Sequence, residues 1–241
     1  MTMPRSHLSQ QGFTLLEVLL AVSITALIGI GASQLLSSIA NTSSTTNERA
    51  SQLRTIQRMD LWVRRDLWQL AGREVLDDFG TPKPALTNDS DFLVEFTHSG
   101  LSNAPFSKIK RSNLQRVAYA VRGHDSDYCK DAYKDPSTED GQCFVRLFWS
   151  VLDLAPDSPE PIVQVLLDNI IEAAIFFRGQ TIDPVNPENT IRTNDWQDAW
   201  PSPYRSPGMI PDLVQVKLVY SVDKLGEIER VYEVPRFAFV N

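Results

Sequence analysis

From Phe13 to Ala40 the chain reads FTLLEVLLAVSITALIGIGASQLLSSIA, and Glu17 is its only ionisable side chain. Crossing a hydrocarbon core takes about 20 helical residues, so this run is long enough to span a bilayer. Ahead of it lies MTMPRSHLSQQG, which holds Arg5 and His7 and no acid. Positive flanks stay in the cytoplasm. Residues 1–12 are therefore expected inside, with the long C-terminal part exported.

Three readings of this start compete. A secretory signal peptide would need a shorter apolar core and small residues in A-x-A spacing at its end. A plain anchor helix fits the length but leaves Glu17 unexplained, because a carboxylate in a membrane helix is costly. The third reading accounts for both leader and acid. Cutting after Gly12 would free a cationic amine on Phe13. In a filament of staggered parallel helices, that amine can neutralise Glu17 of a neighbour. The absence of a side chain at Gly12 suits close approach of a protease to the backbone.

The segment Gly12-Phe13-Thr14-Leu15-Leu16-Glu17 resembles the class III signal of type IV pilins and pseudopilins. The resemblance implies cleavage by prepilin peptidase between Gly12 and Phe13, N-methylation of Phe13, and an assembly role for Glu17 at the fifth mature position. It also implies a single-pass protein of the bacterial inner membrane with its C-terminal head in the periplasm.

Between Phe13 and Gly72 the only glycines are Gly29 and Gly31, and no proline interrupts. Residues 41–47, NTSSTTN, are poor helix formers and predict a frayed zone. Beyond them Leu53, Ile56, Val63, Leu67 and Leu70, with Met59 beside them, make one apolar helical stripe. Arg54, Arg58, Arg65 and Asp66 fall largely off it. Asp60, Arg64 and Arg65 offer local ion pairs. Gly72 is expected to end the helix, which unbroken would be about 90 Å long.

From residue 74 prolines rise and apolar runs shorten. Strands are predicted at 92–97, 114–122, 144–152, 162–167, 170–178, 213–222 and 228–239, with a turn at Asp223-Lys224-Leu225-Gly226. Pro235 predicts an interrupted or edge strand. Residues 179–212 read as a long loop pinned by Trp196 and Trp200. A helix followed by strands predicts an α+β, pilin-like fold, with one long helix packed on antiparallel sheet. The expected divisions are a leader (1–12), a transmembrane and assembly helix (13–40), a periplasmic half of the helix (41–73) and a β-rich head (74–241).

The head sharpens the resemblance. Arg64-Arg65-Asp66-Leu67-Trp68-Gln69, Phe79-Gly80-Thr81-Pro82-Lys83-Pro84-Ala85-Leu86, Glu95-Phe96-Thr97, Arg111 to Tyr119, Leu166-Leu167-Asp168, Trp196 to Pro201 and Gly226 to Val231 are similar, in order, to the J-type minor pseudopilins of type II secretion. That resemblance implies I-type and K-type minor pseudopilins and the major pseudopilin as partners. It implies a filament tip that primes pseudopilus assembly and aids export of folded proteins. A minor pilin of a type IV pilus or DNA-uptake system is the alternative. A membrane-tethered binding domain or hydrolase is a third reading, of another class.

No enzyme motif emerges. There is no G-x-S-x-G and no phosphate loop, and His7, His98 and His124 form no metal set. His98 and His124 read as surface or turn residues, and Asp77 and Asp78 as residues just after a helix. The acidic stretch 125–140 lacks calcium-loop spacing and reads as a solvated loop. A net charge of -7 argues against nucleic acid as a partner. No cofactor is expected. Cys129 and Cys143 are the only cysteines and flank 13 mostly polar residues. They are either a disulfide, favoured by export, or two reduced thiols. They lie outside the J-type pattern.

Overall fold

The computed structural model describes residues 14–88, 91–99, 113–129, 141–182, 190–192, 195–200, 210–223 and 225–235. Expectations on Gly12, Phe13, residues 130–140 of the acidic stretch and the chain after Pro235 lie outside the described residues. By compactness the chain divides into two units, Met1–Leu53 and Arg54–Asn241.

One helix, α1 (Leu15–Trp68), begins in the first unit and ends in the second. It runs through 41–47 without a break, contrary to the expected fraying. The Thr45 and Thr46 hydroxyls donate to the carbonyls of Asn41 (3.1 Å) and Thr42 (2.8 Å). These bonds occupy hydroxyls that would otherwise compete for the backbone. The helix stops at Trp68, short of Gly72. There the chain turns onto the sheet: Leu70 bridges His98, and Ala71 N–H donates to the Thr97 carbonyl at 2.8 Å.

Among the described residues of the second unit ten strands follow: β1 (Val75–Leu76), β2 (Pro82–Lys83), β3 (Leu86–Thr87), β4 (Val94–Ser99), β5 (Leu114–Gly123), β6 (Gln142–Phe148), β7 (Ile162–Ile182), β8 (Thr190–Arg192), β9 (Ile210–Val222) and β10 (Gly226–Glu233). β1 and β2 form a small hairpin. The rest make one antiparallel sheet in the order β10-β9-β7-β6-β5-β4-β3, with β8 also on β7. The α+β expectation holds.

Two expected strands, at 162–167 and 170–178, are one strand bent at Asn169. That residue has φ 56°, and the register shifts beside it. Asn tolerates the left-handed region, and a bulge there lets β7 pair first with β6 and then with β9. The expected loop at 179–212 is in part strand, since β7, β8 and β9 all reach into it. Both tryptophans do anchor it. Trp200 packs on Phe177 with ring centroids 6.2 Å apart, and its backbone N–H donates to Asn88 Oδ1 at 2.8 Å. Trp196 lies under the Arg178 guanidinium, 4.2 Å from its centre. β10 ends at Glu233, two residues before Pro235.

Alternation along the central strands gives the sheet two apolar faces. Val117 and Tyr119 of β5 and Phe144 of β6 join Ile56, Met59, Val63 and Leu67 of α1 in the main core. Ala118, Ala120, Val145 and Leu147 face the other way. They are covered by Trp149, Cys129 and Cys143, which are joined in a disulfide with Cα atoms 6.0 Å apart. Cys129, tied to Cys143 of β6, therefore packs on the sheet face that α1 does not cover.

Candidate functional site

The helix start is the first part of the site. Thr14 precedes α1 and Glu17 is its third residue, a T-x-x-E capping box. Glu17 N–H donates to Thr14 Oγ1 at 3.3 Å, and Thr14 N–H donates to Glu17 Oε2 at 3.3 Å. Orphan donors at the start of a helix are thus satisfied in both directions. The next turns present Leu15, Leu16, Leu19 and Leu20 outward, all exposed. The polar side chains there are internally bonded, Ser23 to the Leu19 carbonyl (2.8 Å) and Thr25 to that of Ala21 (2.7 Å). Such pairing is what a hydrocarbon environment demands. By length and composition α1 is able to cross a membrane.

The second part is a set of charges, two of which, Asp66 and Asp60, lie on the last turns of α1 where the sheet grips it. Asp66 is fully buried, not off the stripe as its charge suggests. Its Oδ2 accepts the Tyr119 hydroxyl at 2.7 Å and Arg146 Nε at 2.5 Å. The Arg146 guanidinium also lies over the rings of Trp62 (5.2 Å) and Phe148 (5.0 Å). One helical turn or more earlier, Asp60 accepts the Tyr232 hydroxyl at 2.8 Å and pairs with Arg64 (3.4 Å) and Arg230 (3.8 Å). Across β4 and β5, buried Glu95 holds buried Arg116 at 2.8 Å and reaches Lys83 at 3.2 Å. Buried pairs of this kind stabilise little net of desolvation, but they fix which positions meet.

These surroundings shift the titrating groups. Burial, reinforced by the Asp66 carboxylate, pushes Tyr119 well above the usual phenol range. Burial and then Asp60 push Tyr232 up, and burial lifts Tyr220 to about 12. His98 is buried in β4, contrary to the surface expectation. Burial lowers its pKa, and its Nδ1 faces the Ser99 carbonyl at 2.9 Å. Sequence reasoning missed Asp66, although its spacing from Met59 and Val63 places it on the buried stripe. Among the described residues no group of three or more His, Cys, Asp or Glu side chains could hold a metal ion.

The geometry is that of an apolar helix with a carboxylate at its start and a head locked to its last turns. A family model described as type II secretion system (T2SS), protein J matches residues 34–234. The chain belongs to the type II secretion system protein J family. A model described as the prokaryotic N-terminal methylation motif matches residues 8–33, which include Gly12, Phe13 and Glu17. The type II secretion system protein J of Escherichia coli is 26% identical over 230 residues, covering 93% of this chain and 96% of that one. The Vibrio cholerae protein J is 23% identical over 233 residues, covering 94% and 88%. A chain in the crystal structure of the GspK-GspI-GspJ complex from the enterotoxigenic Escherichia coli type 2 secretion system is similar with a TM-score of 0.50 and 25% identity. That match covers 76% of this chain and 97% of that one. The protein J family and the apolar half of α1 make this a membrane-anchored secretion-system protein. They favour type II secretion over the pilus and DNA-uptake alternatives.

Proposed function

We propose that the chain serves as a minor pseudopilin of the type II secretion pseudopilus, with a structural and not a catalytic role. Prepilin peptidase cuts between Gly12 and Phe13, and the new Phe13 amine is methylated. The helix stays in the inner membrane and the head stands in the periplasm. There it joins I-type and K-type minor pseudopilins in a tip complex that primes addition of the major pseudopilin and aids export of folded proteins. The complex named for the similar structure, of GspK, GspI and GspJ, supports that choice of partners.

The observation that carries this reading is Glu17, the one ionisable side chain in the apolar run, at the start of α1 within a matched methylation motif. Phe13 ammonium and Glu17 carboxylate are each costly in lipid, and pairing them between neighbouring helices relieves both costs. Gly12→Glu should leave an uncut precursor in the inner membrane, read by mass spectrometry of the N-terminus. A mature chain beginning anywhere but Phe13 contradicts the assignment.

A further inference from the structure

The β1–β2 hairpin carries a feature that neither the anchor nor the buried charges use. Phe79 at its tip is 87% exposed, the most exposed of the large apolar side chains among the described residues, the membrane run included. A lone exposed apolar side chain is ordinary. What sets this one apart is the rigidity of its support. Asp77 Oδ1 accepts the N–H groups of Phe79 (3.0 Å) and Thr81 (2.7 Å). Asp77 N–H donates to the Thr81 carbonyl at 3.0 Å, and Gly80 N–H donates to the Asp77 carbonyl at 3.0 Å. Gly80 has φ 77°, a conformation that glycine adopts without strain. At its base the hairpin is bonded to the loop after β6: Leu76 N–H donates to Asp153 Oδ1, and Leu154 N–H to the Leu76 carbonyl, both at 3.0 Å. The aromatic ring is therefore presented on a turn whose backbone is already fixed. Ordering costs on binding are small for such an anchor.

We propose that Phe79 is a docking residue that enters an apolar recess on a partner protein, with a Lys or Arg at the rim of that recess meeting Asp78. A single projecting ring is complemented by a concavity, not by a flat face. Half-buried Asp77 and exposed Asp78 directly precede it, which disfavours an anionic lipid surface and calls for a cation on the partner. A second copy of this chain, with its net charge of -7, is repelled by the same carboxylates. The inference stands on the hairpin and does not depend on the assembly role of Glu17.

The test places a photo-crosslinking benzophenone amino acid at position 79 of the full chain in cells that make the secretion apparatus, with position 231 as the exposed control. The expected result is one protein adduct, mapped by mass spectrometry to an apolar recess with Lys or Arg at its rim, and lost on Asp78→Lys. Binding of the detergent-solubilised full chain to that purified protein should weaken about ten- to a hundredfold on Phe79→Ala and be largely kept on Phe79→Leu. The thermal midpoint of each variant should match the parent, since the ring is solvent-exposed. Adducts only with lipid, only with a second copy, or in equal yield at 79 and 231 would overturn the proposal. So would no adduct at 79, or unchanged binding by Phe79→Ala.

Discussion

The Tyr119 hydroxyl in β5 donates to the Asp66 carboxylate of α1 at 2.7 Å, beside the apolar side chains of the main core. Arg146 from β6 meets the same oxygen, so adjacent strands converge on one buried helix position. A slip of α1 by one residue would turn Asp66 away from both and bury a charge without its partners. Apolar contacts alone tolerate sliding far better than such a pair does, which gives the helix a defined register on the sheet.

Removing one member of that set should be costly. Asp66→Ala leaves Arg146 buried and unpaired, and should destabilise the protein by about 3–5 kcal/mol. Tyr119→Phe removes one hydrogen bond to a charged group and should cost about 1.5–3 kcal/mol. Urea unfolding of the detergent-solubilised chain measures both. If Asp66→Ala unfolds at the parent midpoint, the network does not hold the helix.

Stability should fall at both ends of the pH scale. Tyr119, Tyr220 and Tyr232 hold their protons more tightly folded than unfolded, because burial disfavours the phenolate. As pH rises past 10.0 the unfolded chain releases these protons first. The loss therefore begins there and for Tyr220 continues to about 12. His98 behaves oppositely. Its folded pKa lies below 6.5 through burial, so the unfolded chain takes up a proton first as pH falls below that value. The acid-side loss should shrink in His98→Gln. Thermal midpoints across pH 5 to 11 for the parent and that variant decide it, and an unchanged acid limb would exclude His98 as its source.

The Cys129–Cys143 bond closes a loop with a sequence separation of 14 and covers the second apolar face of β5 and β6. A cross-link of that span stabilises by about 3 kcal/mol. Reduction, or Cys143→Ser, should lower the urea midpoint accordingly. Chain isolated from the membrane fraction with thiols trapped should carry none reactive to a maleimide after unfolding. Full labelling there would mean that the cysteines are reduced in the cell.

Much of this fold was legible because its signals are local. The apolar run marks the first half of α1, the stripe at Ile56, Val63 and Leu67 marks its buried face, and alternation marks β4, β5, β9 and β10. What stayed hidden depends on tertiary partners. Asp66 reads as a solvated charge until Tyr119 and Arg146 are brought to it from residues far along the chain. Asp168-Asn169 separates two predicted strands because polar residues interrupt the run, yet the pairing of β6 and β9 on either side carries the strand through as a bulge. β1, β2, β3 and β8 are two or three residues long, too short for alternation to show. Thr14 and Glu17 sit at capping-box spacing, a local role that the cost of an acid in lipid overshadows.

That last pairing gives Glu17 two possible duties, and one substitution separates them. A capping box works with Gln as well as Glu at its third helical position, because the amide oxygen still accepts the Thr14 N–H. Glu17→Gln therefore keeps the helix start while removing the charge. If capping were the whole role, Glu17→Gln should behave as the parent, and Thr14→Val should be the damaging change, at about 1 kcal/mol. If the carboxylate neutralises the Phe13 amine of a neighbour, Glu17→Gln should abolish incorporation almost as fully as Glu17→Leu, while leaving the chain folded and membrane-bound. The expected outcome is the second. It is measured as the fraction of the chain recovered in sheared pseudopili, alongside secretion of a folded substrate. Normal recovery of Glu17→Gln would reduce Glu17 to a helix cap and remove the charge-pairing step from the assembly account.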